Sequence, residues 1–249
     1  TGVGKRIMGY AAESNLKRVW LELGGKSPNI VLEDCPDVAA AARAAAGGIF
    51  FNQGEMCSAG SRVLVQRSIY AEFVAGFTDA ARAYTPGDPL DPATRMGAIV
   101  DDIQYERVLG YIQQGRNEGR CLMGGNGVMT DQGYFIAPTL FEASPHSSIA
   151  REEIFGPVCT LIGFDSDDEA IAIANDSIFG LAAAIWTSNL SKAHLAAKAL
   201  RVGSMWVNQC DGGDMTAPFG GYKQSGNGRD KSLHAFDKYT EIKATWIKL

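Results

Sequence analysis

At 249 residues, with 46% hydrophobic and 20% charged side chains, the chain can bury a sizeable core as one large or two small domains. Its net charge of −5 and the lack of any basic stripe exclude nucleic acid as the main partner, because a phosphate-tracking surface needs clustered Lys and Arg. The longest apolar stretch, VAAAARAAAGGIFF, carries Arg43 and is interrupted by glycines, so no membrane span is expected.

The opening TGVGKRIMGY lacks the charged and continuous apolar regions of a signal peptide, and it starts without Met, as a piece of a longer chain would. WLELGG and NIVLE read as short strands ending in turn residues. Asp34 and Pro36 supply a helix start before an Ala-rich segment over residues 38–51. RVLVQ is strand-like, and YAEFVAGFTDAARAY has helical apolar spacing. Prolines and Asp-Pro steps make TPGDPLDPATRMGAIVD a loop. Residues 102–120 form an amphipathic helix. YFIAPTLF, PVCTLIGF, AAAIWTS and SMWVNQ are apolar runs of strand length. Between them, SDDEAIAIAND opens on Ser166 as a helix cap, and LSKAHLAAKAL has helical spacing. The closing TEIKATWIKL is strand-like and suited to pairing with another subunit. Strands alternating with helices predict an α/β fold with a largely parallel sheet flanked by helices.

Five cysteines without a CxxC pair, and three widely separated histidines, argue against a disulfide framework or a metal site. The expected compartment is a reducing cytoplasm. Cys57 stands out for its setting, FNQGEMCSAGSR. A thiol on a Gly-containing turn after a helix can meet free backbone N–H groups, which favour developing negative charge. Taken alone, it is as readily a small buried hydrophobe. Glu22 stands in VWLELGGKSPNIV directly before Gly24-Gly25, either solvated on its strand or facing a cleft that the glycines open. Glu152 and Glu153 precede an apolar hook in REEIFGPV.

Taken together, ELGGKSPNIV, FNQGEMCSAGSR, EEIFGPV and PFGGYKQSGNGRD, in this order, resemble the aldehyde dehydrogenase superfamily over the whole chain. The resemblance implies that residues 1–24 end a coenzyme-binding domain, residues 25–221 form the catalytic domain, and residues 222–249 are a return segment and oligomerisation tail. It implies oxidation of an aldehyde to a carboxylic acid with NAD or NADP. In that reaction Cys57 attacks the aldehyde carbon, the thiohemiacetal gives up hydride to leave a thioester, and Glu22 activates the hydrolytic water. These roles suit a soft nucleophile and a carboxylate whose pKa a partly dry cleft can raise. By the same resemblance, Glu153 and Phe155 hold the nicotinamide ribose and its surroundings, and Gly24 and Gly25 line the passage between cofactor and thiol.

NQCDGGDMTAPFGGYKQSGNGRDKSLHAF is similar to the members that oxidise amine-derived aldehydes, such as gamma-glutamyl-gamma-aminobutyraldehyde in putrescine breakdown. Trp206 and Phe219 are expected as substrate-channel walls or plain core aromatics. Asp211 or Asp214 is expected to meet a substrate ammonium, or else to be a turn carboxylate. Family members are considerably longer and form homo-oligomers. The residues that supply an oxyanion-hole Asn and hold the adenosine ribose have no match here, and one lost oxyanion donor costs on the order of a hundredfold in rate. The expectation is therefore a catalytic half, weakly active or inactive alone. The competing readings are a cofactor-free thiol esterase and a non-catalytic structural or binding protein.

Overall fold

The computed structural model describes residues 1–130 and 133–249. The elements in chain order are α1 (Gly2–Glu13), β1 (Leu21–Glu22), β2 (Pro28–Val31), α2 (Val38–Phe50), β3 (Arg62–Gln66), α3 (Tyr70–Ala81), α4 (Asp102–Glu118) and β4 (Gly119–Met123). There follow β5 (Gly127–Thr130), β6 (Gly133–Ile136), β7 (Thr139–Ala143), α5 (Ser148–Arg151), β8 (Val158–Phe164), α6 (Asp167–Asn175), β9 (Phe179–Gly180) and β10 (Ala182–Trp186). Last come α7 (Leu190–Ala199), β11 (Ser204–Val207), β12 (Tyr222–Lys223) and β13 (Gly226–Asn227).

The central sheet has seven strands in the order β11-β10-β2-β3-β8-β7-β4. Every neighbouring pair is parallel except β4 with β7 at the edge. This is the expected α/β class. Alternate residues of each strand point to opposite faces. Val31, Val63, Val65 and Leu161 pack with α2 and α3 on one side. Ile30, Leu64, Ile162 and Ile185 pack with α6 and α7 on the other. A third cluster seats α4 against Phe141 and Val158.

Local chemistry accounts for the boundaries. Asp37, rather than the upstream Asp34, caps α2, its carboxylate accepting from Ala40 N at 2.8 Å. Ser166 caps α6 by accepting from Glu169 N at 3.3 Å. The run YFIAPTLF divides at Ala137-Pro138: β6 turns back on β5, and β7 enters the main sheet. The WLELGG stretch pairs only through Leu21 and Glu22, antiparallel to β13.

The closing segment departs from expectation. Residues 240–249 form no strand within the chain, because a strand needs a ladder partner. Ile242, Trp246, Ile247 and Leu249 are exposed. Helix α1 buries only Gly4 and Ala11, and Val3, Tyr10 and nearby Leu16 face solvent. No helix among the described residues is long and apolar enough to cross a membrane.

Candidate active site

Three adjacent parallel strands assemble the site. Gly24-Gly25 leads into β2, the Cys57 turn into β3, and Glu153–Phe155 into β8, and β2, β3 and β8 are consecutive in the sheet. The three entering segments therefore converge at the N-terminal ends of the strands. In open parallel sheets, ligand sites more often lie at the carboxyl ends.

The contacts are close. A Cβ on Gly25 would run into the Cys57 carbonyl oxygen, and one on Gly24 into the Glu153 carboxylate. Gly25 N donates to Glu153 Oε1 at 3.1 Å. Only residues without side chains let these backbones approach so closely. Gly25, Gly54, Met56, Glu153 and Phe155 border one small crevice of about 10 Å³.

Cys57 is half-buried at the end of a strained turn. Asn52, Gln53 and Gly54 have successive φ values of 48°, 57° and 72°, a left-handed run that costs non-glycine residues of order 1–3 kcal/mol each. Side chains hold it: Asn52 Nδ2 donates to Glu55 O at 3.1 Å, and Gln53 Oε1 accepts from Gly97 N at 3.2 Å. Burial raises the thiol's pKa above its ordinary value, and the nearby Glu22 carboxylate raises it further. The Ser58 N–H, by contrast, favours the thiolate. A thiol in this setting is protonated at neutral pH and needs a proton acceptor to react.

Glu22 is that neighbour. The pairing of β1 with β13 and the Leu23 N bond to Ser225 O at 3.0 Å fix its backbone. Its carboxylate lies against Gly220, where an added Cβ would stand 2.9 Å from Oε1. Although the residue keeps access to solvent, partial burial raises its pKa, outweighing the opposite pull of Arg229 and Lys238. A carboxylate shifted this way is a better general base near neutrality.

One feature escaped the sequence reading. Three α4 side chains, Gln104, Arg107 and Tyr111, share a helix face and grip four successive residues of the Glu153 segment. Tyr111 donates to Glu152 Oε2 at 2.6 Å, and Arg107 Nη2 to Glu153 O at 2.7 Å. Gln104 Nε2 donates to Ile154 O at 3.0 Å and to Phe155 O at 2.6 Å. Phe155 itself is held at a φ of 58°. The polar face of an amphipathic helix reads as solvated, so no signal in the sequence marks these three.

A larger cleft of about 290 Å³ opens beside the thiol turn, lined in part by Phe51, Met56, Ser58, Trp206, Cys210 and Asp211. Cys57 stands between two lining residues without lining the cleft itself. Trp206 Nε1 donates to Gly212 O, which fixes the loop that follows. Cys210, whose Sγ accepts from Asn29 Nδ2 at 3.5 Å, is pushed up to about 11 by burial. Asp211 reaches this cleft, whereas Asp214 closes a turn, accepting from Thr216 N at 2.8 Å and Thr216 Oγ1 at 2.5 Å. Phe219 pairs through its backbone with Asp230, at 2.8 and 2.7 Å, outside the cleft lining. The thiol and Glu22 suit nucleophilic attack followed by base-assisted hydrolysis.

The model of the aldehyde dehydrogenase family matches residues 1–245. The NADP/NAD-dependent aldehyde dehydrogenase PuuC of Escherichia coli (strain K12) is 50% identical over 250 aligned residues, covering 100% of this chain and 50% of that protein. The crystal structure of gamma-glutamyl-gamma-aminobutyraldehyde dehydrogenase from Burkholderia cenocepacia J2315 superposes with a TM-score of 0.97 at 64% identity, covering 98% of this chain and 50% of that one. The indole-3-acetaldehyde dehydrogenase AldA of P. syringae, solved with NAD+ and IAA, gives a TM-score of 0.98 at 59% identity, covering 100% of this chain and 51% of that one. The chain spans about half the length of the curated relatives it matches.

Proposed function

The chain belongs to the aldehyde dehydrogenase family, and on that footing we propose that it carries the chemical centre for oxidising an aldehyde to a carboxylic acid with NAD or NADP. The observation that carries the reading is the convergence of the Cys57 turn and the Glu153 carboxylate on the Gly24-Gly25 turn, two residues after Glu22. After burial, Glu22 adds to the rise of the thiol's pKa.

Cys57 Sγ bonds to the aldehyde carbon as its proton passes to Glu22, giving a thiohemiacetal at the oxyanion level. A nicotinamide cofactor, when bound, would supply the acceptor for the hydride that leaves that carbon. Cys57 then holds a thioester. Glu22 releases that first proton to solvent and, its pKa already raised, takes a second from water as the water attacks the thioester carbon; the C–S bond then breaks, the acid leaves and the departing sulfur takes the proton back from Glu22. Glu153, Phe155, Gly24 and Gly25 are the residues that would hold the nicotinamide end of the cofactor.

The substrate reading is an amine-derived aldehyde such as gamma-glutamyl-gamma-aminobutyraldehyde, supported by Asp211 on the cleft and by the 64% identity to the Burkholderia cenocepacia enzyme. Asp214, engaged by Thr216, fits the turn role. We assign residues 1–24 to the end of a coenzyme domain, residues 25–221 to the catalytic unit, and residues 222–249 to a return segment and an oligomerisation tail that pairs with a second copy, in the cytoplasm. We further propose that the 249-residue polypeptide alone turns over little aldehyde.

An activated ester tests the thiol and NADH formation tests the redox step. The expected outcome is ester hydrolysis that vanishes in Cys57→Ser and stalls after one acylation in Glu22→Gln, with little NADH from the aldehyde. Ester turnover that persists in Cys57→Ser overturns the nucleophile assignment. Cys57-dependent NADH at ordinary enzyme rates overturns the half-site reading instead.

A further inference from the structure

Glu22 is one corner of a charged cluster drawn from both ends of the chain. A Cβ on Gly220 would stand 2.9 Å from Glu22 Oε1 and 3.0 Å from Arg229 Cδ, so the carboxylate and the arginine stem flank the same point of backbone. Arg229 is half-buried and held from two sides. Its Nη1 donates to Gly221 O at 3.1 Å and to Gly228 O, and its guanidinium carbon lies 5.2 Å from the centre of the Tyr222 ring. The neighbouring Lys238 is engaged differently, by an ion pair with Asp230, whose backbone is fixed by its two bonds with Phe219. Among the described residues, neither Glu22 nor Arg229 has an oppositely charged partner at ion-pairing distance. The cluster therefore holds one cation matched by a carboxylate and one that is not, and the unmatched cation adjoins Glu22.

We propose that Arg229 is a positioning residue for the Glu22 base: a fixed cation that keeps the carboxylate ionised while leaving its oxygens free to take a proton. The inference rests on the assignment of Glu22 as base in the proposed reaction. In that reaction Glu22 gains and gives up protons in turn, so it must return to its charged form in every cycle. Burial works against the charged form, and Arg229, ahead of Lys238, pulls the other way. Arginine suits the task. Its guanidinium stays charged throughout the working pH range, so it never competes for the proton. Set back from contact, it attracts the carboxylate through space without the paired hydrogen bonds of a bidentate clamp, which would lock the oxygens.

The other titratable groups acting with Glu22 are Lys238 and Cys57, whose thiolate the carboxylate disfavours. Lys5 of α1 and Lys223 of β12 border the groove along Leu21 and Leu23. Lys223 is committed there, donating to Asn175 O and Ser177 O at 2.8 and 3.0 Å.

The test titrates Glu22 in the unmodified chain and its variants. The side-chain carboxyl is followed by carbon NMR, identified as the resonance missing from Glu22→Gln, and deacylation after reaction with p-nitrophenyl acetate is measured over the same pH range. An interaction between partly exposed charges shifts a midpoint by roughly half a pH unit. Arg229→Gln keeps a donor for the Gly221 carbonyl but loses the charge. It should raise the Glu22 midpoint by about that half unit and slow deacylation about threefold at pH values below it. Arg229→Lys, which keeps the charge, should hold the midpoint near the parent's. A midpoint that stays in place in Arg229→Gln, or that moves equally in Arg229→Lys, would overturn the proposal. Ester turnover untouched by Glu22→Gln would remove the base assignment, and with it the role of Arg229, even where the midpoint moves. On the unmodified chain, about 1 M sodium chloride should raise the same midpoint, because salt screens an attraction between solvent-accessible charges. An unmoved midpoint there counts equally against the proposal, so a variant that fails to fold leaves it refutable.

Discussion

Replacing Gly54 by alanine tests whether the Cys57 turn depends on close backbone approach. Gly54 adopts a φ of +72°, and a Cβ there would overlap the Gly156 carbonyl oxygen, stand 2.6 Å from the carbonyl carbon, and stand 3.0 Å from Ile49 O. These are backbone atoms with little freedom: Gly156 lies under Val108, and Ile49 is inside α2. The left-handed conformation costs alanine about 1 kcal/mol, and overpacking adds about 1–3 kcal/mol. Together they predict a loss of roughly 2–4 kcal/mol, or on the order of 4–16 °C in Tm for a chain of this size. Gly110 is the control. It sits within α4 with nothing within 4 Å of an added Cβ, so Gly110→Ala should stabilise by roughly 0.5–1 kcal/mol. Urea unfolding of both variants, with unchanged slopes, gives the two signs. A Gly54→Ala chain within about 0.5 kcal/mol of the parent would refute the close-approach argument.

Two further changes read the site's electrostatics. Glu22→Gln removes a carboxylate that holds the Cys57 thiol above its ordinary pKa. The alkylation of Cys57 by iodoacetamide should therefore gain its alkaline rise at lower pH while ester turnover falls; an unmoved pH midpoint would show that Glu22 does not act on the thiol. Asp211 borders the cleft in an exposed loop, where an ion pair is worth about 1 kcal/mol at most. In an active form of the enzyme, Asp211→Asn should lower kcat/KM by no more than roughly fivefold for a cationic aldehyde, with a neutral one unaffected and Asp214→Asn affecting neither; equal losses on both aldehydes would remove the charge argument.

How much of this was legible in the sequence depended on the range of the interaction. The strands RVLVQ and PVCTLIGF and the Ser166 cap are local patterns, and they stand where periodicity and capping chemistry placed them. The cap of α2 stands three positions beyond Asp34, since Asp34 and Asp37 are both plausible caps by local sequence. Asp34 is instead engaged by Thr187 Oγ1 at 2.8 Å, a contact far away in sequence. The two-residue β1 and the divided YFIAPTLF run depend on partners, β13 and β5, that no local window contains. The site follows the same rule. Gly24, Gly25, Cys57 and Glu153 could be singled out because their motifs are unusual in themselves. That they converge follows from β2, β3 and β8 being neighbours. Gln104, Arg107 and Tyr111 went unread because a side chain that grips a remote loop has the same sequence signature as one that faces water.

A nucleophilic role for Cys57, a thiol on which no histidine acts, fits the direction of two pKa shifts. A cysteine made permanently anionic by a cation would react with oxidants and electrophiles at rest. Here burial and Glu22 both push the Cys57 thiol upward, which keeps it protonated and comparatively inert. Burial also raises Glu22, so the group that suppresses ionisation is itself suited to receive the proton. On this reading the same carboxylate guards the resting thiol and serves its reaction. Glu22→Gln should therefore separate the two roles, giving a thiol that is more easily alkylated yet poorer at completing turnover.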